Sequence, residues 1–428
     1  ELIIIFTTNI NSHPPKIAVV AICKNEKKHV LRWLDSVSCA DYICILDTGS
    51  TDNTLSLINQ WKKDHSENPT LVNKIILGHW QPEDGQPFHF DEARNKSKEL
   101  VPSDADLLFY PDLDEFCQPG WREQFDRLFN EHPDVLRISY QYATQCDESE
   151  KVITYQWYDW CFRNDPRYKW YNIVHECCDL FPLASDTCTD SELKQEMFSH
   201  TYYTDKDFIL IKHLPDLNKS HAFYSNLMRE RWYSNKDDLQ IGCYYLSDFT
   251  IDGGESSLLA VETADEIINH ALQVGAHTSV CGSINERHAV LWHLWYSKAN
   301  HLKALGRTDE AILAYHTAIS YMETSLLPYI SLIDLYISLN DYSNAAKIID
   351  LADKFSLATD DWTCDRMNFV YDLPLRKVLV YYNLGNYSKA AYWANEGYNM
   401  WIESGWSDQD KLNILVYNKN LLKEYYEQ

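Results

Sequence analysis

Four short apolar runs, each followed by polar residues and then a helical pattern, constrain the first half of this chain more than any other feature. Ile17–Cys23 reads as a buried strand, Lys27–Ser36 as a helix and Tyr42–Leu46 as a second strand. A helix follows from Thr54, with Leu55, Ile58 and Trp61 on one face. Lys74–Leu77 is a third strand, a helix starts near Asp91 as N-cap, and Leu107–Tyr110 is a fourth strand. Strands that are apolar throughout and alternate with helices imply an α/β fold, a mostly parallel sheet covered on both faces. Ligands of such sheets gather at the carboxyl ends of the strands, so the polar residues just after each strand carry the functional question.

From Asp134 to His200 the pattern becomes strand-like and aromatic, with Ile153–Phe162 and Lys169–His175 as candidate strands. Residues 206–225 read as a junction, where Leu214-Pro215 interrupts any helix. Beyond residue 221 the chain is helical. Leu305-Gly306-Arg307-Thr308-Asp309-Glu310-Ala311, Leu339-Asn340-Asp341-Tyr342-Ser343-Asn344-Ala345 and Leu384-Gly385-Asn386-Tyr387-Ser388-Lys389-Ala390 resemble one another. The first two Ala positions lie 34 apart (345 − 311), the tetratricopeptide period, and the next two 45 apart (390 − 345), so one repeat carries an insertion. Gly or Asn suits a left-handed turn between paired helices, and Ala lets them approach. Cys243–Ala271 reads as a degenerate first repeat. The expected organisation is an α/β domain over 1–205, a junction over 206–225 and an all-α tetratricopeptide-like domain over 226–428.

The length of 428 residues fits two or three domains at about 100–200 residues each. A net charge of −25 would repel a phosphate backbone, which argues against nucleic-acid or anionic-membrane partners. A nucleotide diphosphate would then need a cation or a local basic pocket. The 12 cysteines include no CxxC pair, and several lie in apolar runs, which points to a reducing, cytoplasmic setting. The apolar run Leu2–Phe6 is far below the ~18 residues of a membrane span, and no leader pattern surrounds it.

The strongest chemical signal is Leu107-Leu108-Phe109-Tyr110-Pro111-Asp112-Leu113-Asp114-Glu115. An apolar strand delivers two carboxylates two residues apart, and strand alternation puts Asp112 and Asp114 on one side, as a hard divalent cation with oxygen ligands requires. After the first strand come Lys24-Asn25-Glu26, and after the second Asp47-Thr48-Gly49-Ser50-Thr51-Asp52-Asn53-Thr54. Asp47 is suited to accept from the imide of a uracil-like base, and Asp52 equally suits a helix first turn. Arg94, in Phe90-Asp91-Glu92-Ala93-Arg94-Asn95, lies where it could meet phosphate or ribose.

These four motifs, in this order, resemble glycosyltransferase family 2 over roughly residues 16–205. With a tetratricopeptide-like second half, the chain also resembles bacterial enzymes that glycosylate a peptide on cysteine. The resemblance implies a GT-A fold with a Rossmann-like sheet, a nucleotide-diphospho-sugar donor such as a UDP-sugar, Mn²⁺ or Mg²⁺, and inversion at the anomeric carbon. By position it implies Glu26, Asp47 and Asp52 at the nucleoside, Arg94 at the donor, and Asp112 and Asp114 at the metal. The Val174-His175-Glu176 stretch resembles the family's Val-His-Glu, which makes Glu176 the candidate base and His175 its substitute or orienting partner. His200 is a candidate third metal ligand, Arg163 a candidate brace for the diphosphate and Trp170 a candidate platform for a sugar ring.

The repeats are expected to supply a protein or peptide acceptor site, with glycan, lipid-linked and modified-base acceptors open and the last disfavoured by the charge, or to dimerise the enzyme. Two rival readings stand beside this one. A decayed enzyme would serve as a repeat scaffold for a partner peptide. A nucleotidyltransferase would call for a glycine-rich basic loop near the first strand, and Cys23-Lys24-Asn25-Glu26 holds no glycine.

Overall fold

The structure is a computed structural model and describes residues 14–147, 149–183, 188–215, 222–274, 286–354 and 367–426. The Leu2–Phe6 run and part of the 206–225 junction lie outside these residues. The chain divides into two units, one of 1–146 with 155–219 and one of 147–154 with 220–428.

The first unit is built on a mixed sheet. Its strands are β1 (Ile17–Cys23), β2 (Tyr42–Asp47), β3 (Ile75–His79), β4 (Leu107–Phe109), β5 (Glu115–Cys117), β6 (Arg137–Cys146), β7 (Val152–Arg163), β10 (Thr201–Tyr203) and β11 (Ile209–His213), with β8 (Tyr168–Tyr171) and β9 (Cys177–Leu180) forming a separate pair. The order is β3-β2-β1-β4-β7-β6-β11-β5, with β10 beside β6. β3, β2, β1 and β4 are mutually parallel. β7 then runs antiparallel to β4, and β11 is parallel to β6 but antiparallel to β5. The sheet is therefore mixed rather than mostly parallel, and only its first four strands follow the expected pattern.

Both faces of β1 are buried. Ile17, Val19 and Ala21 pack in one cluster with Trp33, Trp61, Trp121 and Phe125. Those aromatic residues come from helices α1 (Val30–Ser36), α2 (Thr54–Asp64) and, beyond the short α3 (Pro69–Asn73) and α4 (Phe90–Lys98), from α5 (Trp121–Glu131). Ala18 and Val20 face a second cluster with Leu108, Trp170, Leu193 and Met197, the last two from α6 (Asp190–Ser199). Two covered faces explain why the strand lacks any polar alternation. The expected junction holds β11, whose Leu210 and Ile211 are fully buried, so that part of 206–225 belongs to the sheet.

The second unit is helical: α7 (Ala222–Ser234), α8 (Leu239–Ser247), α9 (Glu255–Gln273), α10 (Glu286–Ala304), α11 (Thr308–Tyr321), α12 (Leu326–Ser338), α13 (Tyr342–Ala352), α14 (Leu373–Asn383), α15 (Tyr387–Ser404), α16 (Gln409–Leu421) and α17 (Lys423–Tyr426), with a π-helical turn at Asn368–Asp372. The three related segments are the turns of α10–α11, α12–α13 and α14–α15, which are tetratricopeptide-like pairs. Gly306, Asn340 and Gly385 adopt φ of 72°, 58° and 75°. In each turn the following N–H reaches back five residues, Arg307 to Leu302, Asp341 to Tyr336 and Asn386 to Tyr381, the 6→1 bond of a Schellman stop. Ala311, Ala345 and Ala390 are each 0% exposed where the paired helices meet. α8 and α9 form a looser pair across the longer 248–254 connection. Residues 147–154 cluster with this unit: Trp406 donates its indole N–H to the Val152 carbonyl (3.4 Å), and Ser407 donates to Asp147.

Among the described residues no helix is long and apolar enough to cross a membrane. The ten described cysteines are free thiols.

Candidate active site

The carboxyl ends of β1, β2 and β4 are neighbours, because β1 lies between the other two in the sheet. The loops after β1 and β2 are laced together. Asn25, at φ 59°, accepts at Oδ1 from the N–H groups of Thr51 (2.8 Å) and Asp52 (3.2 Å) and donates its own N–H to Ser50 Oγ (3.0 Å). Glu26 donates its N–H to Thr54 Oγ1 (2.7 Å), and its carbonyl opens α1 by accepting from His29 and Val30. Asp52 accepts from Thr54 N–H (2.9 Å) and Lys27 N–H (3.4 Å).

Asp47 is buried and its oxygens are already engaged. They accept from Ser50 N–H (3.1 Å) and Gly49 N–H (3.2 Å), face His79 Nδ1 at 3.4 Å, and receive the Cys23 thiol. Burial opposes ionisation of Asp47 and Asp52, but the hydrogen bonds of their turns win and hold both below the usual carboxylate range. Asp47 therefore shapes the loop, and its lone pairs are largely committed before any base arrives. Gly49 adopts φ 99°, and a Cβ there would lie 2.1 Å from the Gln81 amide nitrogen.

β4 ends at Phe109, and residues 112–115 form a tight turn in which Glu115 N–H donates to the Asp112 carbonyl (3.0 Å). Strand alternation therefore does not set the directions of the two aspartates, and they take different partners. Asp112 meets Arg94, whose Nη2 lies 2.8 Å from Oδ1 and 2.9 Å from Oδ2. Asp114 faces His213 of β11 at 3.5 Å. Leu113, between them, is buried in the core. Burial, with the charges of Asp114 and Glu176, outweighs Arg94 and pushes Asp112 above the usual carboxylate range. Burial alone would lower His213, but Asp114, Glu115 and Asp112 raise it.

Arg94 is the hub. It is 2% exposed, and its Nε donates to Glu176 Oε1 at 2.8 Å. Its guanidinium carbon stands 4.7 Å from the Trp160 ring and 5.4 Å from the Trp170 ring, and Nη1 is buried without a hydrogen-bond partner among the described residues. The α4 helix begins one residue before the expected Asp91 cap, at Phe90, and is stitched to the segment carrying Glu176. Phe90 N–H donates to Ile173 carbonyl (3.0 Å), and the Asn95 amide exchanges two bonds with the Trp170 backbone (2.8 and 3.0 Å). β8 ends at Tyr171, and Asn172 and His175 follow at positive φ, 73° and 48°. That turn brings Glu176 inward, 9% exposed, and leaves His175 outward. Trp170 is 1% exposed, so it is a wall of the core rather than an open platform for a sugar.

Two expected residues lie elsewhere. Arg163 pairs in register with Leu107 at the start of β4 and donates to the carbonyls of Val135 (2.7 Å) and Pro133 (2.6 Å). His200 caps the end of α6, with Nε2 3.3 Å from Asp134, and its carbonyl receives the Leu136 N–H. Both sit at the ends of β4 and β6 away from Asp112, so neither is brought to the aspartates. His213 and Glu115 occupy the ground expected for His200. The sequence signal for His213 is its place two residues after the apolar run Ile209-Leu210-Ile211, with Lys212 between, a looser form of the strand-then-polar pattern at Asp47.

Among the described residues no group of three His, Cys, Asp or Glu side chains is set as a metal site. The oxygen donors are of the kind a hard dication takes, but Asp112 and Glu176 are paired with Arg94 and Asp114 with His213.

No family model matches the chain, and no curated protein matches it. Among solved structures it is similar to a protein of nearly identical TPR-like repeats from Podosopora anserina, with 12% identity, TM-score 0.30, and coverage of 49% of this chain and 90% of that one. It is also similar to a tetratricopeptide repeat protein from Parabacteroides merdae, with 16% identity, TM-score 0.24, and coverage of 47% of this chain and 73% of that one.

Proposed function

We propose that the chain is an inverting glycosyltransferase of the family 2 type, moving a sugar from a nucleotide-diphospho-sugar, in the first instance a UDP-sugar, to a protein or peptide acceptor. The observation that carries this reading is the convergence of Asp112 and Glu176 on Arg94 at the carboxyl end of β4, the strand next to β1. Asp112 and Asp114 would be the protein's ligands to Mn²⁺ or Mg²⁺, which would supply Lewis-acid neutralisation of the departing diphosphate. Arg94 keeps Nη1 for an anionic oxygen of the donor. Glu176 takes the acceptor's proton, and Arg94 supplies its counter-charge. Calorimetry with uridine diphosphate, with and without Mn²⁺, tests the reading. Metal-linked binding is expected, and its absence in the full chain would sink the proposal.

A second reading, a repeat scaffold for a peptide, draws support from exposed apolar residues in the helical unit, among them Leu313 (67%) and Tyr417 (65%). A pure scaffold would capture peptides while remaining silent to the nucleotide and metal. A homodimer through the helical unit is a companion proposal, which sedimentation velocity tests.

A further inference from the structure

We propose that the outer face of α9 is a docking surface for a basic peptide segment that carries apolar anchor residues. The proposal rests on the second reading above, a peptide-binding helical unit, and gives it a place and a partner chemistry. It holds whether or not the chain transfers a sugar.

The helix divides sharply into two sides. Ala260, Ala264, Ile267 and Ala271 are fully buried, and α9 packs against α8 and α10. Glu255, Leu258, Leu259, Glu262 and Glu266 share the opposite side, at spacings of i, i+3, i+4, i+7 and i+11. Leu258 and Leu259 are each 49% exposed, and Ile251, in the connection before the helix, is 56% exposed. The start of α9 is fixed in place. Asp252 Oδ1 accepts from the N–H groups of Gly254 (2.8 Å) and Ser257 (3.1 Å), and Ser257 Oγ accepts from Gly253 N–H (3.0 Å). A partner therefore meets a preorganised face, and little of its binding energy goes into ordering this side.

A single exposed leucine is ordinary on a surface; what distinguishes this face is two adjacent leucines inside a rim of one sign. Residues 248–273 contain Asp248, Asp252, Glu255, Glu262, Asp265 and Glu266 and no Lys or Arg. Asp265 and Glu266 are met by lysines of the same unit, Lys298 of α10 and Lys236 before α8. Among the described residues Glu255 and Glu262 have no such partner. The fold thus answers two of the acids with lysine and leaves that chemistry to a partner at the two beside the leucines. The rim also selects against other occupants. A second copy laid on the same face would bring like charges together, and nucleic acid or an anionic lipid surface would be repelled. A basic segment neutralises Glu255 and Glu262 while its apolar side chains cover Leu258 and Leu259.

The test is fluorescence anisotropy of two labelled amphipathic peptides, one of leucine and lysine and one of leucine and glutamate, titrated with the full chain. Wild type is expected to bind the leucine–lysine peptide and not the leucine–glutamate one. Leu258→Ala with Leu259→Ala is expected to weaken binding by about tenfold or more. Glu255→Gln with Glu262→Gln is expected to weaken it several-fold and to flatten its salt dependence. Glu403→Gln with Asp410→Asn removes the same charge from exposed positions on α15 and α16 and is expected to match wild type. Equal losses in the two charge variants would mean that the whole chain's charge draws the peptide, and would overturn the site. Wild-type affinity in the leucine variant, with its melting curve unchanged, would move the peptide off α9 and leave the scaffold reading standing. Binding of neither peptide, or of both equally, would overturn the basic partner. Self-association in sedimentation velocity that the leucine variant abolishes would give the face to a second copy instead.

Discussion

Arg94 and Asp112 form a two-point ion pair, with one guanidinium nitrogen within 2.9 Å of both carboxylate oxygens. Arg94 holds Glu176 at the same time, so one buried cation balances two acids from different parts of the chain. Under the proposed reading, a divalent ion taking Asp112 would have to compete with Arg94, and a diphosphate would offer Arg94 a replacement partner.

Removing that cation should be expensive. Arg94→Ala leaves the buried Glu176 carboxylate without its cation, and breaking a buried pair from one side costs about 3–5 kcal/mol. Urea denaturation followed by tryptophan fluorescence should show a midpoint shift of that order. A variant as stable as wild type would mean the pair carries little of the fold.

Asp114→Asn should behave differently. Asp114 is 23% exposed at its side chain and pairs with a half-buried histidine, so its loss should change stability by less than about 1 kcal/mol. Transfer and Mn²⁺-linked nucleotide binding should disappear while the melting curve stays in place. Wild-type turnover in this variant would remove Asp114 from the metal assignment.

His293 gives the helical unit an acid sensitivity. Its Nε2 lies 2.7 Å from Ser247 Oγ, and burial lowers its pKa from 6.5 to about 4. The unfolded imidazole takes up a proton near 6.5 and the folded one only near 4. The neutral folded state is thus fully favoured above 6.5 and loses stability as pH falls toward 4, by up to about 3 kcal/mol. His293→Gln should show a smaller stability difference between pH 7 and pH 4.5 in urea melts followed by circular dichroism. An unchanged difference would show that other groups control the acid response.

Ala345 reports on the close approach of α12 and α13. At 0% exposure it leaves no room for a branched side chain, and Ala345→Leu should cost about 1–3 kcal/mol by overpacking. Ala346→Leu, one position further around the helix and only partly buried, should cost less in the same thermal melts. Equal effects would mean that the repeat alanine has no special packing role.

The parts legible in the sequence are those whose pattern is local. β1 and β2 announce themselves as unbroken apolar runs because both faces are covered, and the three helix turns share a Gly or Asn that only a left-handed stop requires. β11 is short, follows polar residues and ends before Leu214-Pro215, so it resembles a linker; its strandedness comes from inserting between β5 and β6, which no local pattern records. The site divides in the same way. Asp112, Arg94 and Glu176 belong to motifs and do converge. Arg163 fails because β7 runs against β4, which carries the residue after its apolar run to the opposite end of the sheet. His200 fails because it precedes β10, which starts level with Arg137, whereas His213 ends β11 farther along β6, past Ala143.

The eight residues at 147–154 have a practical consequence for dissecting the molecule. They are covalently a hairpin tip of the sheet, yet they cluster with the helices through Trp406 and Ser407. A cut after Lys219 would strip that tip of its neighbours in one fragment and deprive the other of part of its own core, so neither piece is a faithful substitute for the intact polypeptide.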